Sequence, residues 1–380
     1  MRTSPEPGAA ADADGAFGPA WRVERERVQE RALPDGAVVV SCPSPYGVGG
    51  LGRHLDEVLE ALTRRGRPGA SLNATTRAHD AAGDGRAKML LEAASIQAVR
   101  FSPAWRHWRG SVEFDRYAAS RLPDAEHLVG FNGSSLAQLR AARRRGFRSL
   151  SLMAANSHLR RVIRQHELAA RRYPLERPWA TRLLGRNLAE YDLVDRIHVC
   201  SRYTRDSFLE EGFSEETLSF FPLIPDRRYE PDGNAPADVF EVVYAGSLTV
   251  NKGVPLLIDA FTRLPHADAR LVLVGGWKTR GMRRFVEQAR ARDERITVSP
   301  GNVRERLRSA HLFVHATYED GFAYAPAEAL ACGIPVLVSE DTGMKELLTA
   351  GVNGMVLPTG DLDALSEAID AAYRGEAFRP

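Results

Sequence analysis

Lysine is scarce in this 380-residue sequence. Only four of the 51 basic residues are lysines, namely Lys88, Lys252, Lys278 and Lys345. Codon usage is one explanation for such a bias, so the scarcity by itself excludes no class of protein. Because there are so few of them, each lysine is a weak candidate for a functional residue.

Cysteine is also rare, and long apolar runs are missing. The three cysteines, Cys42, Cys200 and Cys332, are odd in number and far apart, which excludes a disulfide framework and a zinc-finger spacing. We expect them to be small buried residues of a reduced, cytoplasmic protein. No run of about 18 apolar residues indicates a membrane span. The first residues lack the apolar core of a secretory signal, which also favours a cytoplasmic location.

The formal net charge is only +2, which argues against a nucleic-acid partner for the chain as a whole. The charge is unevenly distributed, however. Residues 138–186 contain 13 arginines and two acids, a local balance of +11, so the rest of the chain sums to −9. Two interpretations stay open. The arginines are either on solvated helix faces, or on a surface for anionic groups, namely the lipid headgroups of a membrane in peripheral contact or a phosphorylated acceptor.

The pattern of apolar segments indicates two domains. Residues 1–34 are predicted to be an irregular arm with a short helix around 21–31, and 226–238 a linker within a proline-rich stretch. Between and beyond them, β-branched runs alternate with amphipathic segments, which predicts parallel, doubly wound sheets. The fold class is therefore α/β, with two Rossmann-like domains (35–225 and 239–380) facing a cleft. Ligands of such sheets bind beyond the carboxyl ends of the strands.

Individual elements follow from the same patterns, although the stretch 102–126 gives no assignment. Predicted strands in the first domain are 37–42, 69–72, 96–101, 127–131, 149–154 and 195–200, with helices at 51–65, 134–145 and 203–211. In the second domain the predicted strands are 240–245, 269–274, 295–298, 312–315, 334–338 and 354–357, and the helices are 254–264, 279–291, 303–308, 326–332, 344–348 and 362–373.

The segment with the most chemical content is an acidic loop between a strand and a helix. The loop 317–323 follows the strand 312–315, and a helix is predicted to begin near Pro326, a good first-turn residue. Glu328 is then expected in the first turn. Asp320 and Glu328 can both face one cleft and accept hydrogen bonds from a polyol. The alternative is that Glu328 only stabilises the helix N-terminus.

This segment resembles the signature of family-4 glycosyltransferases of the GT-B fold. That family carries two glutamates in the context E-G-F-G-x-x-x-x-E-A-x-A-x-G-x-P-V, and this chain has Asp320-Gly321-Phe322-Ala323 followed by Glu328-Ala329-Leu330-Ala331-Cys332-Gly333-Ile334-Pro335-Val336. The resemblance implies that Glu328 holds ribose hydroxyls of the nucleotide. It also implies that Asp320 contacts the donor sugar, together with the backbone of the three residues that follow, Gly321, Phe322 and Ala323.

A second match lies at the start of the second domain. Ala245-Gly246-Ser247-Leu248-Thr249-Val250-Asn251-Lys252-Gly253 is similar to the family's G-R-L-x-x-x-K-G. The resemblance gives Lys252 the role of stabilising the departing nucleoside diphosphate, whose negative charge requires a cation. Gly246 and Ser247 belong to the same donor-binding loop. Ser247 stands where the family has arginine, which removes one positive charge.

Further matches are looser. The turn at Gly49 and Gly50 resembles the glycine-rich loop after the first strand of the family, where the backbone lies near the donor phosphate. His158, after the strand 149–154, stands where the family places a donor-sugar contact, although a lone histidine is as often structural. Asn302 and Val303 occupy the place where the family backbone meets the base.

Taken together, these matches predict a retaining, nucleotide-sugar-dependent hexosyl- or glycosyltransferase. The reaction would move a sugar to an acceptor hydroxyl of a glycan, a lipid or a small molecule, in glycan, glycolipid or natural-product glycoside synthesis. No Asp-x-Asp motif ends a predicted strand, so we expect no cofactor and no obligatory metal. The alternatives are a catalytically silent GT-B protein that binds a nucleotide or partner, and an epimerase or phosphorylase on a similar fold.

Overall fold

A computed structural model describes residues 17–67, 69–73, 103–231, 238–299 and 303–378. The chain forms two compact units, and short segments interrupt the order along the sequence. The N-terminal unit comprises Val23–Leu168 and Arg177–Ile224. The C-terminal unit comprises Pro225–Pro380 together with Met1–Arg22 and Ala169–Glu176.

The N-terminal unit contains one six-stranded parallel sheet. Its strands are β1 (Val38–Cys42), β2 (Ala70–Asn73), β3 (His127–Phe131), β4 (Ser149–Ala154), β5 (Arg196–Val199) and β6 (Leu218–Phe220), in the order β2-β1-β3-β4-β5-β6. The described helices before residue 225 are α1 (Pro19–Ala32), α2 (Gly49–Arg64), α3 (Pro103–Ala119), α4 (Leu136–Arg144), α5 (Leu159–Arg172), α6 (Leu184–Tyr191) and α7 (Arg202–Leu209), with 3-10 turns at Ala180–Leu183 and Glu215–Thr217.

The C-terminal unit repeats this architecture. Its strands are β7 (Phe240–Ala245), β8 (Ala269–Val274), β9 (Ile296–Ser299), β10 (Leu312–His315), β11 (Val336–Ser339) and β12 (Gly354–Leu357), in the order β12-β11-β10-β7-β8-β9. The helices are α8 (Val254–Thr262), α9 (Arg280–Arg292), α10 (Val303–Leu307), α11 (Tyr324–Ala331) and α12 (Leu362–Tyr373), and Gly343–Leu347 is a 3-10 turn.

Burial explains why these segments form parallel strands. All five residues of β1 are buried, as are all four of β10 and of β11, which is expected for strands covered by helices on both faces. The helices contribute one apolar stripe each: Leu55, Val58 and Leu62 of α2 are completely or almost completely buried. Each unit has its own hydrophobic cluster around its sheet.

Each sheet has one point where the strand order reverses. In the C-terminal unit the chain proceeds outward from β7 through β8 and β9, and then returns to place β10 on the other side of β7. In the N-terminal unit the reversal lies between β1 and β3. At such a point the loops leave the sheet in opposite directions and open a crevice at the carboxyl edge, where ligands of these folds bind.

Several predicted elements need correction. The helix near Pro326 begins two residues earlier, at Tyr324, so Glu328 is its fifth residue and not a first-turn residue. The predicted helix 344–348 is the 3-10 turn Gly343–Leu347. The unassigned stretch 102–126 contains α3, and the sequence patterns missed α5 and α6. The arm 1–34 contains α1, which confirms its predicted helix, whereas the predicted strand 96–101 lies outside the described residues.

Candidate active site

Loops from four neighbouring strands form the carboxyl edge of the C-terminal sheet around its reversal point. Lys252 follows β7, Lys278 follows β8, Asp320 follows β10 and Gly343 follows β11. These strands are consecutive in the sheet, in the order β11-β10-β7-β8. Residues that are far apart in sequence are therefore brought to one edge, at the position where open α/β sheets bind their ligands.

Lys252 and Asp320 form an ion pair at the reversal point itself. The ammonium group of Lys252 lies 2.6 Å from Oδ2 of Asp320 and donates a second hydrogen bond, of 3.3 Å, to the carbonyl of Glu319. The two side chains are only 23% and 17% exposed. The structure thus brings together two of the predicted catalytic residues, but it does so by pairing their opposite charges.

His315 completes this cluster. Its Nε2 lies 3.2 Å from the same Oδ2 atom of Asp320, and its ring stacks in parallel on Tyr244 with the centroids 6.3 Å apart. Burial lowers the pKa of His315, and Lys252 lowers it further although Asp320 opposes the shift. For Asp320, burial would raise the pKa, but Lys252 and His315 outweigh it and hold the carboxyl well below its ordinary value. Asp320 is therefore a carboxylate at neutral pH.

Backbone hydrogen bonds fix the position of Asp320. Its N–H donates to the carbonyl of Asp341 at 3.1 Å, and its carbonyl accepts from Gly343 at 3.0 Å. On the other side, Gly253 has a φ of +71°, and a Cβ atom there would lie 1.7 Å from the carbonyl oxygen of Ala316. Only glycine allows this close approach, which holds the Lys252 loop against the strand end that leads to Asp320.

The acidic loop leads into α11 through an unusual backbone conformation. Ala323 precedes the helix with a φ of +66°, a left-handed value that costs a residue with a side chain about 1 kcal/mol. Gly321, Phe322 and Ala323 are all buried. Glu328, in the second turn of α11, is 2% exposed, and its negative charge acts on the guanidinium of Arg228. Its predicted role toward ribose hydroxyls stays a prediction.

Gly246 and Ser247 lie in the loop after β7. The hydroxyl of Tyr244 donates a 2.9 Å hydrogen bond to the carbonyl of Ser247, so that this loop is tied to the strand below it. Ser247 supplies a hydroxyl and no charge at this position. Val303 is the first residue of α10, and Asn302 lies outside the described residues.

Two predicted site residues, Gly49 and Gly50, belong to the N-terminal unit. They are exposed and begin α2 directly after the loop that follows β1. Gly49 has a φ of +65°, a left-handed conformation that favours glycine. Asp56 accepts the N–H of Gly47 at 2.9 Å, which holds the start of the turn. The predicted succession of strand, glycine-rich turn and helix is confirmed, and the N–H groups of the first helical turn lie at the reversal point of this sheet.

His158 lies inside the N-terminal unit, between β4 and α5. It is 1% exposed and is surrounded by the rings of Tyr191, Phe208 and Phe213, with centroid distances of 5.0, 5.2 and 5.8 Å. Burial lowers its pKa to about 4, so the imidazole is neutral at physiological pH. These contacts are those of a structural histidine, and a role for His158 toward the donor sugar stays a prediction.

Three residues that organise the C-terminal edge are not among those predicted from the sequence. They are His315, described above, and Glu176 and Lys278. Oε2 of Glu176 accepts the N–H of Val250 and Oε1 accepts the hydroxyl of Thr279, both at 2.7 Å. No local pattern connects position 176 with positions 250 and 279. Lys278 did have a signal, because it is one of only four lysines.

The arginine-rich region 138–186 is partly neutralised within the N-terminal unit. On α5, Arg161 pairs with Glu210, and Arg160 and Arg164 both pair with Glu211. Within the described ranges, no helix is long and apolar enough to cross a membrane. Among the same residues, no cluster of three or more histidine, cysteine or acidic side chains is arranged to hold a metal ion.

The fold is that of solved structures of the GT-B class. Sucrose-phosphate synthase from Thermosynechococcus elongatus superposes with a TM-score of 0.65 at 18% identity, covering 90% of both chains. HepE from Anabaena, solved in complex with UDP-glucose, superposes with a TM-score of 0.60 at 16% identity, covering 90% of this chain and 91% of that one. The predicted fold class, two Rossmann-like domains of the GT-B type, is confirmed.

Sequence comparison gives a match to the C-terminal part of the chain. Residues 226–379 match the family model described as glycosyl transferases group 1. The chain is 30% identical over 153 residues to D-inositol 3-phosphate glycosyltransferase from Xylanimonas cellulosilytica. That match covers 38% of this chain and 36% of the relative, so the chain spans little more than a third of the first curated relatives that it matches.

Proposed function

We propose that this protein is a retaining glycosyltransferase that moves a sugar from a nucleotide-sugar donor to an acceptor hydroxyl. The observation that carries the proposal is the position of the Lys252–Asp320 pair. It lies at the reversal point of the C-terminal sheet, in the part of the chain that matches a glycosyltransferase family model. A diphosphate bound there would meet an ammonium group at a crevice suited to phosphorylated ligands.

In the proposed reaction, the bond between the anomeric carbon and the leaving phosphate oxygen breaks while the acceptor oxygen bonds to the same carbon. The acceptor proton passes to the departing diphosphate. Negative charge grows on the diphosphate during this step, and Lys252 stabilises it. Asp320 and the buried backbone of the loop after it contact the donor sugar, and Glu328 binds the ribose. Positioning and electrostatics supply the catalysis, and no obligatory metal is required.

One observation favours a second function, a catalytically silent protein that binds a nucleotide or a partner. The charge of Lys252 is already neutralised by Asp320 at 2.6 Å, and Ser247 adds no cation to the loop. A site with this balance would bind a diphosphate less strongly than a site with free cations. Binding of nucleoside diphosphate without sugar transfer or donor hydrolysis would establish this alternative.

The proposed activity is tested by incubating the protein with a panel of nucleotide sugars and measuring release of nucleoside diphosphate. We expect release from at least one donor. Lys252→Ala and Glu328→Ala should each lower the rate about tenfold or more, which corresponds to at least about 1.4 kcal/mol of lost transition-state stabilisation. Arg290→Ala and Glu367→Ala, which remove exposed charges on α9 and α12, are the matched controls and should leave the rate unchanged.

Three further parts of the proposal have their own measurements. Retention of configuration is read from the anomeric signals of the product by NMR, and an inverted product would refute it. Independence from metal predicts equal rates with and without a chelator. Peripheral membrane contact through 138–186 predicts more protein pelleting with anionic than with neutral vesicles at low salt, and equal pelleting would refute it.

A further inference from the structure

The loop after β7 does not by itself supply enough positive charge to bind a diphosphate at the carboxyl edge of the C-terminal sheet. That loop offers Lys252, whose ammonium group is bound to Asp320, and Ser247, which is neutral. A diphosphate carries more than one negative charge, and the charge increases when the sugar departs. Electrostatic stabilisation of that change therefore requires a cation that an internal carboxylate does not already neutralise.

The loop after β8 runs alongside the loop after β7 at this edge. The N–H of Gly246 donates to the carbonyl of Val274 at 2.9 Å, and the N–H of Leu248 donates to the carbonyl of Gly276 at 3.0 Å. Leu248 and Trp277 continue the parallel pairing beyond the ends of the strands. The next residue along the β8 loop is Lys278, which this pairing carries beside the loop that ends in Lys252.

Lys278 is also held on its other side. Glu176 binds the N–H of Val250 with one carboxylate oxygen and the hydroxyl of Thr279 with the other, so one side chain joins the two loops immediately after Lys278. Thr279 in turn caps α9 by accepting the N–H of Met282 at 3.2 Å. The backbone on both sides of Lys278 is thereby anchored, and the lysine has a defined place in the loop.

Lys278 forms no salt bridge with any carboxylate among the described residues. The charge of Glu176 acts on it, but both oxygens of Glu176 accept hydrogen bonds from Val250 and Thr279, so neither oxygen is paired with the ammonium group. Desolvation of the ammonium group lowers the pKa of Lys278, and the positive charge of Lys252 lowers it further, whereas Glu176 opposes the shift. The residue as a whole is exposed. The positive charges of Lys252 and Lys278 therefore repel each other, and an anion bound between them would offset this repulsion.

We propose that Lys278 is a second diphosphate-binding cation of this site, supplying the positive charge that Ser247 does not provide and that Asp320 neutralises on Lys252. The inference rests on the proposed function and adds to it a residue from a neighbouring strand. Its ligand is the diphosphate group of a nucleoside diphosphate or nucleotide sugar. Lys278 is expected to act on the phosphates alone and not on the base.

The test compares nucleoside diphosphates with nucleosides. UDP and GDP, and uridine and guanosine, are titrated separately into the wild type, Lys278→Met, Lys278→Arg and the control Arg290→Ala by calorimetry. For the diphosphate that binds, Lys278→Met should lower the affinity about tenfold or more, whereas Lys278→Arg should retain it within about threefold. Affinity for the matching nucleoside and the thermal unfolding midpoint should be the same in all four proteins.

Two results would overturn the role proposed for Lys278. Diphosphate affinity of Lys278→Met within about twofold of wild type would overturn it while leaving the proposed function intact. Equal losses for diphosphate and nucleoside would also overturn it, because they would indicate a role in the shape of the loop. If the wild type binds neither diphosphate and releases none from any donor, the proposed function fails as well, so the two failures are distinguishable.

Discussion

Replacing Asp320 with asparagine should remove the negative half of the central ion pair and leave Lys252 charged and only 23% exposed. With the charged atoms 2.6 Å apart, the direct attraction is about 6 kcal/mol at an effective dielectric constant of about 20. Desolvation and partial exposure offset most of it. We therefore expect Asp320→Asn to destabilise the protein by about 1–3 kcal/mol at pH 7.

The sign of the pH dependence follows from the lowered pKa of Asp320. A carboxyl whose folded-state pKa is depressed stabilises the protein above its unfolded pKa, and that stabilisation is lost as the pH falls below it. The free energies of unfolding of wild type and Asp320→Asn should therefore differ by a constant amount from pH 7 down to about pH 4. Below about pH 4 this difference should shrink by up to about 1.4 kcal/mol for each unit by which the pH falls.

A double-mutant cycle isolates the pair. Urea unfolding of the wild type, Asp320→Asn, Lys252→Met and the double mutant should give a coupling free energy of about 1–2 kcal/mol, since the two residues are in direct contact. The Arg263–Asp363 pair, whose side chains are 49% and 81% exposed, is the matched control and should couple by less than about 1 kcal/mol. A coupling free energy between Lys252 and Asp320 that is zero within error would refute the ion pair and the electrostatic argument built on it.

Three other substitutions test features of the fold in the two units. Ala323→Gly should raise the free energy of unfolding by about 1 kcal/mol in urea titrations, because glycine adopts the left-handed conformation without strain; no gain would contradict the strain. Glu190→Ala should lower it by about 3 kcal/mol or more, since the buried carboxyl group of Glu190 accepts the N–H groups of Gly133, Ser135 and Leu136, and a loss below about 1 kcal/mol would show that water replaces it. Burial lowers the pKa of both His54 and His198 to about 3, so stability should be complete above about pH 6.5 and fall as the pH drops toward 3. His198→Leu should flatten that slope by up to about 1.4 kcal/mol per pH unit, and an unchanged acid-unfolding curve would contradict the assignment.

Periodicity predicted most of the fold because buried parallel strands are short β-branched runs. The strands from β7 to β12 were each found close to their predicted positions. The misses have physical causes. α5, with the sequence LRRVIRQHELAARR, carries so many arginines that its apolar stripe is narrow, and it was not distinguished from a charged loop. The start of α11 was placed too late because Pro326 is equally acceptable within the first turn.

The site was predicted less completely than the fold. Lys252 and Asp320 were both singled out, yet nothing local in the sequence showed that they neutralise each other, since that depends on the reversal that places β10 beside β7. Glu176 was missed for a similar reason: it lies 74 residues from Val250 and reaches it only through the tertiary fold. Contacts between loops of neighbouring strands depend on topology, which residue spacing does not report.

The most direct test of the central claim is a crystal structure of the protein with the nucleoside diphosphate that binds in solution. The account predicts that phosphate oxygens lie within hydrogen-bonding or ion-pairing distance of the ammonium groups of Lys252 and Lys278, at the carboxyl edge formed by β10, β7 and β8. A diphosphate bound away from both lysines, with the edge of this sheet empty, would contradict it.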